Sequence, residues 1–303
     1  MIYFKPLCLS QKPQYDAMLQ CSGQRGCEYS FANLFLWGRQ RAAFLDGNLV
    51  LFSQYNRRSV YPFPVGCGDL KPTLEAIIQD AKERGIPCRL CGLTQQNREL
   101  LEQLFPGKFR FHHDRDSFDY VYDIHQLADL PGRKFQRKRN HLNRFLQTHP
   151  DYRTEPITQD NLPQVEAFIA RWYELRLQED PHGDFHMEQA AFRKALAHMQ
   201  ALGMEGILLY DGEELLAVTM GSRLSACTFD VHFEKALDRN DGAYGAINRE
   251  FARHLREKYP ELRWLNREDD MGLEGLRKAK LSYNPDHMIE KSWACLLEDG
   301  YDY

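Results

Sequence analysis

"TFDVHFEKALDRNDGAYGAINREFARHLREKYP" spans Thr228–Pro260. Its first nine residues alternate, with Phe229, Val231 and Phe233 between Asp230, His232 and Glu234. That period of two predicts a strand with one apolar face and one ionisable face. Ala243, Ile247, Phe251 and Leu255 then recur every fourth residue, which predicts a helix with one buried stripe. Between them, Gly242 and Gly245 flank the expected helix start, with Asp241 as its cap. A polar strand that runs through a glycine turn into an amphipathic helix is a unit of an α+β fold. It also aims first-turn amides at whatever lies beyond the strand end.

Working outward, the same series of elements occurs twice. In the first half, "MIYFKPL" reads as a strand, "PQYDAMLQCSG" and "SFANLFLWGRQ" as helices, and "AAFLDGNLVLFSQ" as a hairpin turning on "DGN". Strand "SVYPFPVG" follows, then a helix closed by Gly85, strand "PCRLCGL", helix "QQNRELLEQLF" and strands in "FRFHHDRDSFDYVYDI". The second half repeats strand, two helices, a hairpin on "DGEE", strand, helix, strand, helix, strand. The expectation is two tandem α+β units, residues 1–130 and 131–303, tightly packed and with the main functional motifs in the second.

Charge is uneven. Residues 1–130 hold 15 basic and 14 acidic side chains, 131–150 hold 6 and none, and 151–303 hold 18 and 29. The island is "GRKFQRKRNHLNRFLQ", Gly132–Gln147. On a helical wheel Phe135, Leu142 and Leu146 align, Arg137 and Arg144 fall on the solvated side, and Lys138 and Arg139 flank the apolar stripe. Their stems snorkel along the core edge or their heads enter a cleft.

Other stretches offer chemistry beside plainer readings. The ionisable face of the polar strand is either an acid–base pair, His232 and Glu234, or the wet side of an edge strand. Gly242, Ala243 and Tyr244 suit a phosphate or a developing oxyanion, or simply start a helix. In "NREDDMGLEGLRKAKLSYNPDH", Glu268, Asp269 and Asp270 close a strand, and Glu274, Arg277 and Lys280 share one side of a helix. They are surface ion pairs or a receptor for a cationic amine. No metal site is expected. "CRLC" lacks a second ligand pair, "EDPHGDFHME" offers His182, Asp184 and His186 without a convincing further ligand, and "FHHDRD" reads as a hairpin tip. The eight cysteines read mostly as small buried hydrophobes. No apolar run reaches the ~18–20 residues of a membrane span, and "MIYFKPLCLSQKPQ" lacks the form of a secretory signal, so a cytoplasmic location is expected.

Three segments taken together, "GRKFQRKRNHLNRF", "FDVHFEKALDRNDGAYGAINREF" and "EDDMGLEGLRKAKLSYNP", resemble the C-terminal catalytic domain of bacterial phosphatidylglycerol lysyltransferases, and above all their soluble relatives. That family is similar to Fem-type aminoacyltransferases. The resemblance implies two tandem Gcn5-related N-acyltransferase units and transfer of an activated aminoacyl group from tRNA to an amine or hydroxyl. It implies that the basic helix, with Lys138, Arg139 and Asn140, holds the tRNA acceptor end or a phosphate, and that Arg277 and Lys280 enter the cleft. The expected acceptor is a small molecule or peptide. An acyl-CoA donor is the alternative, although "RNDGAY" matches the CoA pattern through Arg239 and Gly242 and then departs at Tyr244. No tightly bound cofactor is expected. A non-catalytic nucleic-acid or protein-binding module on the same fold is the third reading.

Overall fold

The computed structural model describes residues 1–22, 26–38, 40–55, 58–181, 183, 185–237 and 242–297. Arg239, Asp241, His182 and Asp184 therefore lie outside the described residues. The chain forms two compact units. One comprises residues 1–119, 269–273 and 288–303, and the other 120–268 and 274–287.

In the first unit the strands are β1 (Lys5–Pro6), β2 (Gln40–Leu45), β3 (Asn48–Tyr55), β4 (Arg58–Pro62), β5 (Val65–Gly66), β6 (Arg89–Leu93) and β7 (Phe109–His113). The second unit builds on β8 (Asp119–Asp123), β9 (Tyr152–Pro156), β10 (Met204–Asp211), β11 (Glu214–Arg223), β12 (Thr228–Ala236), β13 (Trp264–Asn266) and β14 (His287–Ile289). The last strand, β15 (Ser292–Leu296), returns to the first sheet. Among the described residues the two orders are β1-β2-β3-β4-β6-β15-β7, with β5 on β3, and β14-β8-β13-β12-β11-β10-β9.

This is the expected α+β architecture, but the cut at residue 130 is replaced by a boundary at 119/120 with two later returns. The physical reason is strand pairing. β15 inserts antiparallel between β6 and β7, matching Ala294 to Leu90 and to Phe111. β8 instead pairs with β13, so "FHHDRD" is the end of β7 and the residues that leave it for the second sheet, and not a hairpin tip.

Helices α1 (Lys12–Ser22), α2 (Phe31–Trp37), α3 (Leu70–Arg84) and α4 (Gln95–Leu104) belong to the first unit. Asp69 caps α3 by accepting from the Lys71 amide, and Gly85 ends it at φ +67°, a left-handed stop natural to glycine. The first core gathers Val50, Phe52, Tyr61, Phe63, Leu74, Ile77, Leu90 and Leu93, and β15 adds Ala294 and Leu296. Cys91, in the "CRLC" pair, is buried enough that its thiol is pushed up to about 12, the opposite of a metal-ligating thiolate. Cys8, Cys27, Cys88, Cys91, Cys227 and Cys295 are thiols outside any disulfide, whereas Cys67 is disulfide-bonded, an exception to the reading of most cysteines as small buried hydrophobes.

The second unit carries α5 (Ile124–Asp129), α6 (Gln136–Thr148), α7 (Leu162–Glu179), α8 (His186–Leu202), α9 (Ala243–Lys258) and α10 (Glu274–Leu281). On α9, Ala243, Ile247, Phe251 and Leu255 are all buried, as the spacing requires. On α6 the buried stripe is Phe135, Leu142 and Phe145, while Leu146 is only half-buried. Lys138 falls between Phe135 and Leu142 on that stripe, which draws its stem inward.

Candidate active site

The decisive local event is in β12. It is an interior strand between β11 and β13, so the wet-edge reading does not apply. The register with β11 shifts between Met220 and Gly221, pairing Met220 with Phe233 but Gly221 with Val231. His232 is the extra residue of a β-bulge, and the two faces of β12 exchange across it. Phe229 accordingly meets Phe251 of α9, whereas Phe233 meets Phe192 of α8. The single apolar face expected from strict alternation is therefore two half-faces, and His232 and Glu234 do not form one acid–base pair.

Glu234 sits on the α9 side. Its Oε1 accepts from Arg267 Nη2 at 2.7 Å and its Oε2 from Asn248 Nδ2 at 3.1 Å. Arg267 is stacked 5.1 Å from the Tyr283 ring centroid and 5.7 Å from that of Tyr122. Burial alone would lower the Arg267 guanidinium, but Glu234, Tyr122 and Tyr283 outweigh it and hold the group charged. Among the described residues, Arg267 Nη1 and Asn248 Oδ1 are buried with no hydrogen-bond partner.

Beside this pair opens a cavity of about 580 Å³ lined by Lys138, His141, Arg144, Gly242, Tyr244 and Tyr283, with Leu130 and Gly245. The Lys138 ammonium lies 3.6 Å from the Tyr283 ring centroid. Burial, with repulsion from Arg267 and Arg137, brings Lys138 down to about 8 against the opposing pull of Glu234. Burial likewise pushes the Tyr283 phenol up to about 12. Tyr244 is raised, chiefly by burial, while the backbone N–H of Ala236 and the Trp172 indole N–H, directed at its oxygen, pull the other way. Gly242 caps α9 at φ +93°, and a Cβ there would lie 3.1 Å from both the His141 carbonyl oxygen and Phe145 Cβ. Only glycine lets the α9 terminus close on α6 this way. First-turn amides of a helix have no intrahelical acceptor. Together with Lys138 and Arg144, this terminus defines an anion-seeking wall.

Other expected residues lie elsewhere. Arg139 donates to the carbonyls of Leu130 and Gly132 at 2.5 and 2.6 Å and to Gln136, pinning the turn before α6. Asn140 is exposed and accepts from Gln136. Arg144 is exposed, as expected, and stands at the cavity rim. The acidic trio is split. Glu268 Oε1 lies 3.1 Å from His232 Nδ1, while Asp269 and Asp270 belong to the first unit, where Asp270 meets Arg115. On α10, Glu274 pairs with Lys278 and Arg277 is half-buried. Lys280 is buried and donates to the Arg267 carbonyl, so it positions Arg267 from behind. His186 starts α8.

Arg267, Tyr283, Asn248 and His141 were not singled out from sequence. The arginine in "WLNREDD" directly follows a strand, which is the signal that points to it.

The fold is that of a class, tandem Gcn5-related N-acyltransferase-like proteins. A tandem protein of that type from the clavulanic acid biosynthesis pathway superposes with a TM-score of 0.54 at 8% identity, covering 100% of both chains. Residues 20–295 match the family "Phosphatidylglycerol lysyltransferase, C-terminal", and the chain belongs to that family. A conserved protein of unknown function from Bacteroides thetaiotaomicron is similar at 39% identity and a TM-score of 0.91, over 98% of this chain and 100% of that one. The C-terminal domain of a putative lysylphosphatidylglycerol synthetase from Agrobacterium fabrum shares the fold at 14% identity and a TM-score of 0.70, over 95% and 92%. An uncharacterised protein of Mycoplasmoides gallisepticum is 27% identical over 177 residues, 58% of this chain, and the chain spans 55% of that relative's length. No described helix is long and apolar enough to cross a membrane.

Proposed function

We propose that the second unit transfers an aminoacyl group from an activated, tRNA-borne ester to an amine or hydroxyl acceptor. The observation that carries this reading is the cavity shared by Lys138, Tyr283 and the Gly242 cap, next to the Glu234–Arg267 pair. His141, Arg144 and the α9 amides attract the phosphate of the donor's acceptor end. Lys138, at about 8, is neutral in roughly a tenth to a fifth of molecules near physiological pH, far more than an ordinary lysine, and in that form it accepts the proton of the attacking amine or hydroxyl. Arg267, aligned by Glu234 and Asn248, stabilises the tetrahedral oxyanion. The nucleophile's lone pair forms the new C–N or C–O bond, and the ester C–O bond to the ribose then breaks as the ribose oxygen takes back the proton held by Lys138 and leaves as the hydroxyl.

A second reading has its own observation. β13 ends at Asn266 opposite Asp230, so β12 runs on past the end of that ladder. The pantetheine amides of an acyl-CoA could add there as an extended strand.

Single-turnover assays with a panel of charged tRNAs and acyl-CoAs decide between donors. Lys138→Arg keeps the charge but removes the base, and is expected to lower the chemical step by about 10²–10⁴-fold. An unchanged rate in this variant would refute the mechanism. Tight tRNA binding with no turnover for any donor would favour the non-catalytic module.

A further inference from the structure

We propose that Asp230, His232 and Glu268 form a binding site for one divalent transition-metal ion of the zinc and manganese class. The inference is independent of the acyl-transfer reading. One ligand atom from each residue lies within 4.8 Å of the others. His232 Nδ1 is 3.1 Å from Glu268 Oε1 and 3.6 Å from Asp230 Oδ2. An ion with bonds of about 2.0–2.2 Å to nitrogen and oxygen ligands separates them by roughly 3.0–3.6 Å, so it fits with little movement.

The surroundings resemble a prepared ligand shell more than a surface ion pair. The Asp230 and His232 side chains are 0% and 2% exposed. His232 Nε2 lies 2.8 Å from Ser222 Oγ, and Ser222 is itself buried. With Nε2–H donating to that hydroxyl, the Nδ1 lone pair faces both carboxylates, the tautomer a metal requires.

Two backbone devices bring the ligands together. The β12 bulge places His232, and Gly221 allows it, because a Cβ there would stand 2.0 Å from the Asp230 carbonyl oxygen. After β13, Glu268 adopts φ +57°, uncommon for a residue with a side chain, and its carboxylate reaches the imidazole. Glu268 is the partly exposed member, at 23%, and marks the entry side, where water completes the coordination. One imidazole with two carboxylates suits first-row divalent ions better than magnesium or calcium, which prefer all-oxygen shells. The site lies two residues from Glu234 on β12 and one from Arg267 after β13. A bound ion would clamp the two backbones that set the Glu234–Arg267 spacing.

The experiment uses the whole chain, stripped with a chelator and titrated with ZnCl₂ and separately CoCl₂, by calorimetry and by visible absorption of the cobalt form. The expected result is one equivalent bound, with affinity lowered at least ~10-fold in His232→Gln and in Glu268→Gln. Cys27→Ser, in the separate Cys27–Glu28–Asp119 cluster, should leave the titration unchanged. Absence of saturable one-equivalent uptake by the unmodified protein overturns the proposal without reference to any variant. So does uptake that survives both His232→Gln and Glu268→Gln, or that is lost in Cys27→Ser.

Discussion

Lys138 and Arg139 are neighbours in sequence with opposite fates. Arg139 is used up on backbone carbonyls, and Lys138 stands over an aromatic ring in a cavity. Transfer should therefore rise with pH through about 8 as Lys138 deprotonates, and Lys138→Arg should flatten that limb in a pH–rate profile. The same shift makes a stability forecast. Below pH ~8 Lys138 is charged in both folded and unfolded chains, and the folded chain bears the whole cost of its burial. Between about 8 and the unfolded value near 10.4, the unfolded chain binds the extra proton, so stability rises with pH. Lys138→Met should accordingly gain about 1 kcal/mol at pH 7, after discount for partial exposure and for the lost contact with Tyr283, and the gain should vanish above pH ~10.5. Urea melts at the two pH values check it.

The bulge in β12 is the element on which both halves of the site depend. Gly221→Ala forces its new Cβ into the Asp230 carbonyl, and should cost about 2–3 kcal/mol of second-unit stability, read as a lower urea midpoint. The bulge also shows where sequence reading stops. Alternation in "TFDVHFEKA" identified a strand, and four-residue spacing identified α9, because local periodicity reports local structure. One extra residue leaves that composition intact yet reverses every side chain beyond it. Hence His232 and Glu234 read as partners and are not. Lys138 was legible because it falls beside an apolar stripe. Arg267 and Tyr283 were not, since their roles come from contacts with β12 and α6, distant in sequence. The glycine at 242 read correctly as a helix start, while its tight approach to α6 is visible only in three dimensions.

For the whole molecule, the order of elements along each half was readable, because hairpins and helices are local. The partition was not, because β15 pairs with strands some 180–200 residues earlier. Lys291, just before β15, is buried and bonds Asp119 at 2.6 Å and also Glu28. Removing that charge leaves two carboxylates facing each other. Lys291→Ala should destabilise the first unit by about 3 kcal/mol, lowering its thermal transition in calorimetry. A chain ending at residue 290 should lose that transition altogether while the second unit still melts cooperatively, as circular dichroism would record.

β15 also imposes a timetable. Synthesis runs from the N-terminal side, yet the gap between β6 and β7 can be filled only once Ser292–Leu296 have emerged, behind the strands of the second sheet. The first unit is thus begun before the second and finished after it. Until then its sheet has two open edges within one nascent chain, a place where a chaperone has something to hold and where two half-made copies could exchange strands.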